Sequence, residues 1–87
     1  MEPLEGVPDI HYPTIWSYTL IGWREVDMRE AVHSYLGDDA AYKLTFSHFS
    51  RKGTYISLHL EIEVQSEEER NATYRDLKAM DAMRLVM

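Results

Sequence analysis

Apolar residues recur along this chain with two different periods, and the switches between them mark out the elements. In "TIWSYTLIG", residues 14–22, Trp16, Tyr18 and Leu20 alternate with Ser17 and Thr19. That period of two predicts a strand, ended by Gly22. In "DMREAVHSYLG", residues 27–37, Met28, Ala31, Val32, Tyr35 and Leu36 form one helical stripe. Asp27 stands at the N-cap position with Glu30 completing a capping box, and Gly37 is a natural stop. The alternation returns in "YKLTFSHF" (42–49), through Tyr42, Leu44 and Phe46. It is cleanest in "TYISLHLEIEV" (54–64), where Ile56, Leu58, Leu60, Ile62 and Val64 share a face. "SEEERNATYRDLKAM" (66–80) predicts a second helix, capped by Ser66 with Glu69. Its inward stripe is thin: Ala72 or Thr73, then Tyr74, Leu77 and Met80. "AMRLVM" (82–87) predicts a short last strand.

The order strand, helix, strand, strand, helix, strand predicts an α+β, ferredoxin-like βαββαβ split sandwich. It is a four-stranded antiparallel sheet with two helices on one face. Right-handed crossovers place the first and third strands in the middle. Residues 14–87 form one such domain. Residues 1–13, broken by Pro3, Pro8 and Pro13, are expected to be a flexible arm.

The second and third strands predict a hairpin. A three-residue loop, Arg51-Lys52-Gly53 with Gly53 left-handed, sets Ser50 opposite Thr54. His48 then faces Ile56, Phe46 faces Leu58 and Leu44 faces Leu60. On the other side Lys43 meets Glu61, Thr45 meets His59 and Phe49 meets Tyr55. This register puts His48 and His59 on opposite faces.

Composition narrows the function. The 87 residues suit one small domain, and no cysteine is present for a disulfide, a thiolate nucleophile or a cysteine-bound metal. The opening segment is acidic, with neither the basic start nor the apolar run of a secretory leader. No apolar stretch approaches a membrane span. A cytoplasmic protein without membrane contact is expected. Fifteen acidic residues against nine basic ones give a net charge of −6. Nucleic-acid binders depend on phosphate contacts and present basic surfaces. "SRKGTYISL" (50–58) has the Lys-Gly-aromatic flavour of an RNA-binding strand. However, Tyr55 is followed outward by Ser57, His59, Glu61 and Glu63, and the first strand offers Ser17 and Thr19 rather than a stacking ring. The basic tripeptide is explained as turn chemistry, and no nucleic-acid partner is expected.

Taken together, "YPTIWSYTLIG", "SRKGTYISLHLEIEV" and "EEERNATYRDLKAMDAMRLVM" resemble the YbeD-like family of small bacterial proteins, a domain of unknown function. The likeness covers residues 12 to 87. It includes a Ser-x-x-Gly-x-Tyr-x-Ser run, here Ser50, Gly53, Tyr55 and Ser57, and the helix residues Tyr74 and Leu77. The first helix is short for the pattern. The resemblance implies a ferredoxin-like, ACT-like regulatory module and a link to lipoate metabolism. It carries over no catalytic residue and no cofactor.

Candidate chemistry is sparse. His11 lies on the arm, His33 on the first helix, and no His-x-x-x-His spacing exists, so no metal site is expected. Acylphosphatases share this fold and bind phosphate after the first strand. Gly22-Trp23-Arg24 is a weak match without the glycine-rich cradle or a water-positioning Asn, and no enzyme is expected. Glu67–Glu69 suit a helix start, and Met80, Met83 and Met87 suit core filling. What remains is the sheet face that the helices leave open. It is predicted to carry Ile15, Ser17, Thr19, Ile21, Phe49, Tyr55, Ser57 and His59. Such a face suits a protein partner or a second copy of the chain, unless the arm covers it through Ile10 and Tyr12. A small-ligand sensor of the ACT type is the alternative.

Overall fold

The computed structural model describes residues 10–87. The elements are β1 (Thr14–Gly22), α1 (Glu25–Leu36), β2 (Tyr42–Phe49), β3 (Ile56–Val64), α2 (Glu67–Lys78) and β4 (Met83–Val86). The sheet order is β2-β3-β1-β4 and every pairing is antiparallel. This is the ferredoxin-like split sandwich that the alternation predicts, with β1 and β3 central. Tyr18 and Leu20 of β1 and Leu58 and Leu60 of β3 point to one side. There they are buried with Met28 and Val32 of α1 and Leu77 of α2. Of the predicted arm, residues 1–9 lie outside the described residues.

The two helices begin differently. At α2, Ser66 Oγ accepts from the Glu69 backbone N–H at 3.1 Å, while the Glu69 carboxylate accepts from the N–H of Gln65. This is the expected capping box, shifted by one residue on its return bond. Of the two candidates at the start of its inward stripe, Thr73 is the buried one. At α1 the expected cap is not used. The helix begins at Glu25, and its N-cap is Arg24, which makes no side-chain cap bond. Asp27 lies inside the first turn, 3.8 Å from Arg24, and Glu25 pairs with Arg29 at 2.8 Å. Acids in that turn favour the positive end of the helix dipole without capping it. Gly37 ends the helix at φ 89°, a backbone conformation that suits glycine. Tyr35, at the end of the predicted stripe, is partly exposed and donates its hydroxyl to Asp76 of α2 at 2.6 Å.

The hairpin register is half as expected. Lys43↔Glu61, Leu44↔Leu60, Thr45↔His59 and Phe46↔Leu58 pair as the alternation demands. Beyond Phe46 the register shifts, and His48 pairs with Ser57 and Phe49 with Ile56. Ser47 is thus the extra residue of a bulge. The loop is correspondingly longer. Ser50 meets Tyr55, not Thr54: the Ser50 N–H donates to the Tyr55 carbonyl at 2.8 Å, and Ser50 Oγ accepts from the Tyr55 N–H at 3.0 Å. Gly53 is left-handed at φ 73°, as a turn here requires.

One extra residue moves every later side chain to the other face. Phe49 therefore joins the helix side of the sheet, edge-on to Phe46 with ring centroids 5.1 Å apart. His48 moves to the open side, the same side as His59. Both placements correct the expectation from alternation alone. A second irregularity falls between Ile21 and Gly22. There β4 pairs Leu85 with Ile21 but Met83 with Gly22, so Arg84 is the extra residue. On its β4 side, β1 is paired only from Thr19 to Gly22, with Thr19 and Met87 exchanging two backbone bonds.

Candidate functional site

The open face is ordered in rows set by the registers. Leu85, Ile21, Ser57 and His48 form one row across all four strands. Thr19, His59 and Thr45 form the next, with Thr19 Oγ1 3.4 Å from His59 Nδ1. Ser17, Glu61 and Lys43 follow, and Ile15 with Glu63 lies at the far end. Seven of the eight residues predicted for this face are on it; the exception is Phe49. Ile15 is 62% exposed, whereas Ser57 is buried at 4% between its larger neighbours.

Four residues of the face were not anticipated. Leu85 is 45% exposed beside Ile21. His48 arrives through the bulge at Ser47. Arg84 holds its guanidinium 5.7 Å from the centroid of the Tyr55 ring, and Trp23 lies against that ring at 6.2 Å. The sequence does contain a signal for the bulges. Met83 and Val86 are both buried yet three residues apart, an odd spacing that no regular strand can place on one face. Phe46 and Phe49 show the same spacing. Around the Ser57 row, Ile21, Leu85, Tyr55, His48 and Arg84 line an open cavity of about 300 Å³. Ser57 Oγ is buried there and finds no hydrogen-bond partner among the described residues.

A second depression lies at the unpaired part of β1, against α2. This cleft of about 930 Å³ is lined by Ile10, Tyr12, Trp16, Tyr18, Arg70 and Tyr74, among others. Ile10 and Tyr12 therefore sit at the β1 edge and not at the Ser57 end of the open face. The Arg70 guanidinium lies 4.5 Å from the Trp16 ring centroid, and the Tyr18 hydroxyl donates to the Arg70 carbonyl at 2.7 Å. Burial pushes the Tyr18 phenol above its ordinary value of 10.0, with the neighbouring Thr73 hydrogen bond acting the other way. Burial also raises Tyr35, aided by its bond to Asp76. A phenol whose pKa is higher in the folded state contributes stability that is fully present below about pH 10 and is lost as pH rises through the folded value. Thermal melts from pH 8 to 11 are therefore expected to show Tm falling above pH 10, with a shallower fall for Tyr18→Phe. An unchanged slope in that variant would remove Tyr18 as a cause.

Among the described residues, no group of three or more His, Asp or Glu side chains is placed to hold a metal ion. No helix among them is long and apolar enough to cross a membrane.

The family model described as "Protein of unknown function (DUF493)" matches residues 8–87. The chain belongs to the DUF493 family. This agrees with the YbeD-like resemblance carried by its strands and last helix. Among its DUF493-like relatives is the Campylobacter jejuni protein named "Uncharacterized protein Cj0253". It is 36% identical over 76 residues, covering 87% of this chain and 86% of the relative. A Helicobacter pylori protein named "Uncharacterized protein" is 28% identical over 76 residues, covering 85% of each. The solution structure of protein HP0495 from H. pylori superimposes with a TM-score of 0.79 at 24% identity, covering 100% of this chain and 96% of that one. At that identity the likeness shows the shared fold alone.

Proposed function

We propose that this DUF493 chain is a non-enzymatic regulatory module that works by docking its open sheet face on a second copy of itself. The observation that carries the reading is the layout of that face. Its two ends are apolar, with Ile15 at one and Ile21 and Leu85 at the other. They differ in charge: Glu61 and Glu63, with Lys43 paired to Glu61, leave the Ile15 end net negative, whereas Arg84 makes the Leu85 end positive. From Ile15 to Ile21 the strand advances about 20 Å. A two-fold axis through the middle row, near Thr19 and His59, sets the acidic end of one copy against the basic end of the other. It also sets Ile15 against Leu85. Such a self-complementary patch is what a symmetric dimer requires. A face whose two ends carried the same charge would oppose that arrangement.

Sedimentation of the wild type against Ile15→Lys and Leu85→Lys tests the reading. Both side chains are well exposed, so the variants keep the core intact. The wild type is expected to dimerise with a Kd on the order of micromolar, a common strength for modest interfaces, and added salt weakens it. Both variants should remain monomeric. A wild type that stays monomeric at several hundred micromolar defeats the proposal, as does Ile15→Lys dimerising as well as the wild type. The ACT-type ligand-sensing alternative draws its support from the cavity at Ser57.

A further inference from the structure

We infer that the cavity over Ser57 is a binding site for a small carboxylate with a compact apolar body. The site is complete within one chain, so it does not rest on the dimer reading. It arises because a serine occupies the centre of the row Leu85–Ile21–Ser57–His48, where a β-branched residue would fill the space. The small side chain deepens a hollow of about 300 Å³, the volume of roughly ten water molecules. The walls are Ile21, Leu85 and the Tyr55 ring, which suit an apolar body. The polar groups are few, and none is acidic. Arg84 sits at the rim over Tyr55, His48 stands opposite, and Ser57 Oγ lies buried at the floor without a partner. No Asp or Glu lines the cavity; the acids of this face, Glu61 and Glu63, lie toward its other end.

This combination selects the ligand class. A neutral apolar molecule would leave both the guanidinium and the serine hydroxyl unmatched. A phosphate carries more charge than the single guanidinium of Arg84 offsets, and phenyl phosphate serves as the comparison ligand. A planar carboxylate matches one guanidinium and can accept from the Ser57 hydroxyl. An unpaired buried hydroxyl is destabilising, so meeting it adds to affinity. His48 lies beside Ser57 in the register, exposed on the edge strand, with its Nδ1 2.9 Å from Ser47 Oγ. Because Ser57 Oγ is buried, a ligand reaches it only when one of the lining side chains moves aside. Arg84 and His48 both reach this site through bulges, one in β4 and one in β2. The two irregularities thus deliver the two basic side chains to one end of one face.

Phenylacetate, with about ten non-hydrogen atoms of which the carboxylate is three, is the probe, and phenylacetamide is its neutral control. Backbone amide NMR titrations are made on wild type, Arg84→Gln, Ser57→Ala and Ile15→Lys. For a ligand this small a Kd of order 1 mM is expected, with saturable shifts centred on Ile21, Tyr55, Ser57 and Leu85. Phenylacetamide and Arg84→Gln should each weaken binding about tenfold, and Ser57→Ala several-fold. Ile15→Lys, which disables the proposed dimer and so removes the partner's cover over Leu85 and Arg84, should bind at least as tightly as the wild type. Failure of self-association therefore leaves this test standing. Shifts that fail to saturate below roughly 20 mM overturn the inference, since they imply a Kd more than tenfold above that expected. Equal shifts with the amide, or shifts centred on Arg70 in the other cleft, also overturn it. Arg84 is exposed, and unchanged amide positions away from β4 verify that its variant is folded.

Discussion

Gly22→Ala should lower the stability of the domain by about 3 kcal/mol or more, at the upper end of what overpacking costs. An added Cβ would stand 2.4 Å from the Ala82 carbonyl oxygen and 2.7 Å from Met28 Sδ. The methionine is flexible and could move. The carbonyl belongs to the backbone that enters β4, and it could yield only by pulling Met83 away from Gly22. For a domain of this size the whole folding free energy is on the order of 5–10 kcal/mol, so much of the margin is lost. Gly53→Ala is the comparison. Nothing lies near its Cβ, and the cost there is only the left-handed backbone at φ 73°, about 1–2 kcal/mol. Urea unfolding of both variants checks the ranking. A Gly22→Ala midpoint within experimental error of wild type would show that the approach of β4 to β1 is looser than described.

Leu20→Ala is expected to cost about 3–4 kcal/mol, within the range for emptying a closely packed leucine site. Leu20 is fully buried on a central strand, with Leu58 on one side and Val86 on the other. Neighbours on both sides are fixed by sheet hydrogen bonds, so the space cannot collapse easily. Ile15→Ala on the same strand supplies the contrast. Its side chain faces away from the core, and in dilute protein the change should stay within about 0.5 kcal/mol. Equal losses from the two substitutions would mean that the open face is no less closed than the core.

How much of this was legible in the sequence depended on parity. Wherever strict alternation held, as along β1 and from Tyr42 to Phe46, each side chain's face followed from counting by two. The element order and the strand order followed as well, because a ferredoxin-like sheet leaves few alternatives once the elements are known. Counting failed at Ser47 and Arg84. A bulge inserts one residue, and nothing in Ser47 itself announces it. The clue lay in odd spacings between apolar residues, Phe46 to Phe49 and Met83 to Val86. For Met83 and Val86, both buried, that spacing requires an inserted residue; for Phe46 and Phe49, both partly exposed, it only allows one. The same failure hid the candidate site, since His48, Arg84 and Leu85 join Ser57 only after both bulges are counted. At α1, a convincing cap pattern at Asp27 and Glu30 misled because the N-cap is Arg24, three residues earlier, and Glu25 pairs with Arg29. The cavity floor was in the predicted set as Ser57. Its burial was not, because burial depends on the bulk of cross-strand neighbours rather than on the strand's own pattern.

The placement of β1 in the middle of the sheet also bears on how the chain reaches its folded state. The β2–β3 hairpin joins near neighbours and closes a loop of four residues, Arg51 to Thr54. β1 comes first in sequence, yet both its partners are made much later: β3 across the whole of α1 and β2, and β4 across nearly the entire domain. Such distant pairings carry the largest loop-closure entropy and slow folding. The hairpin and the two helices can therefore form early and locally. The strand around which the sheet is organised must wait for the last of them.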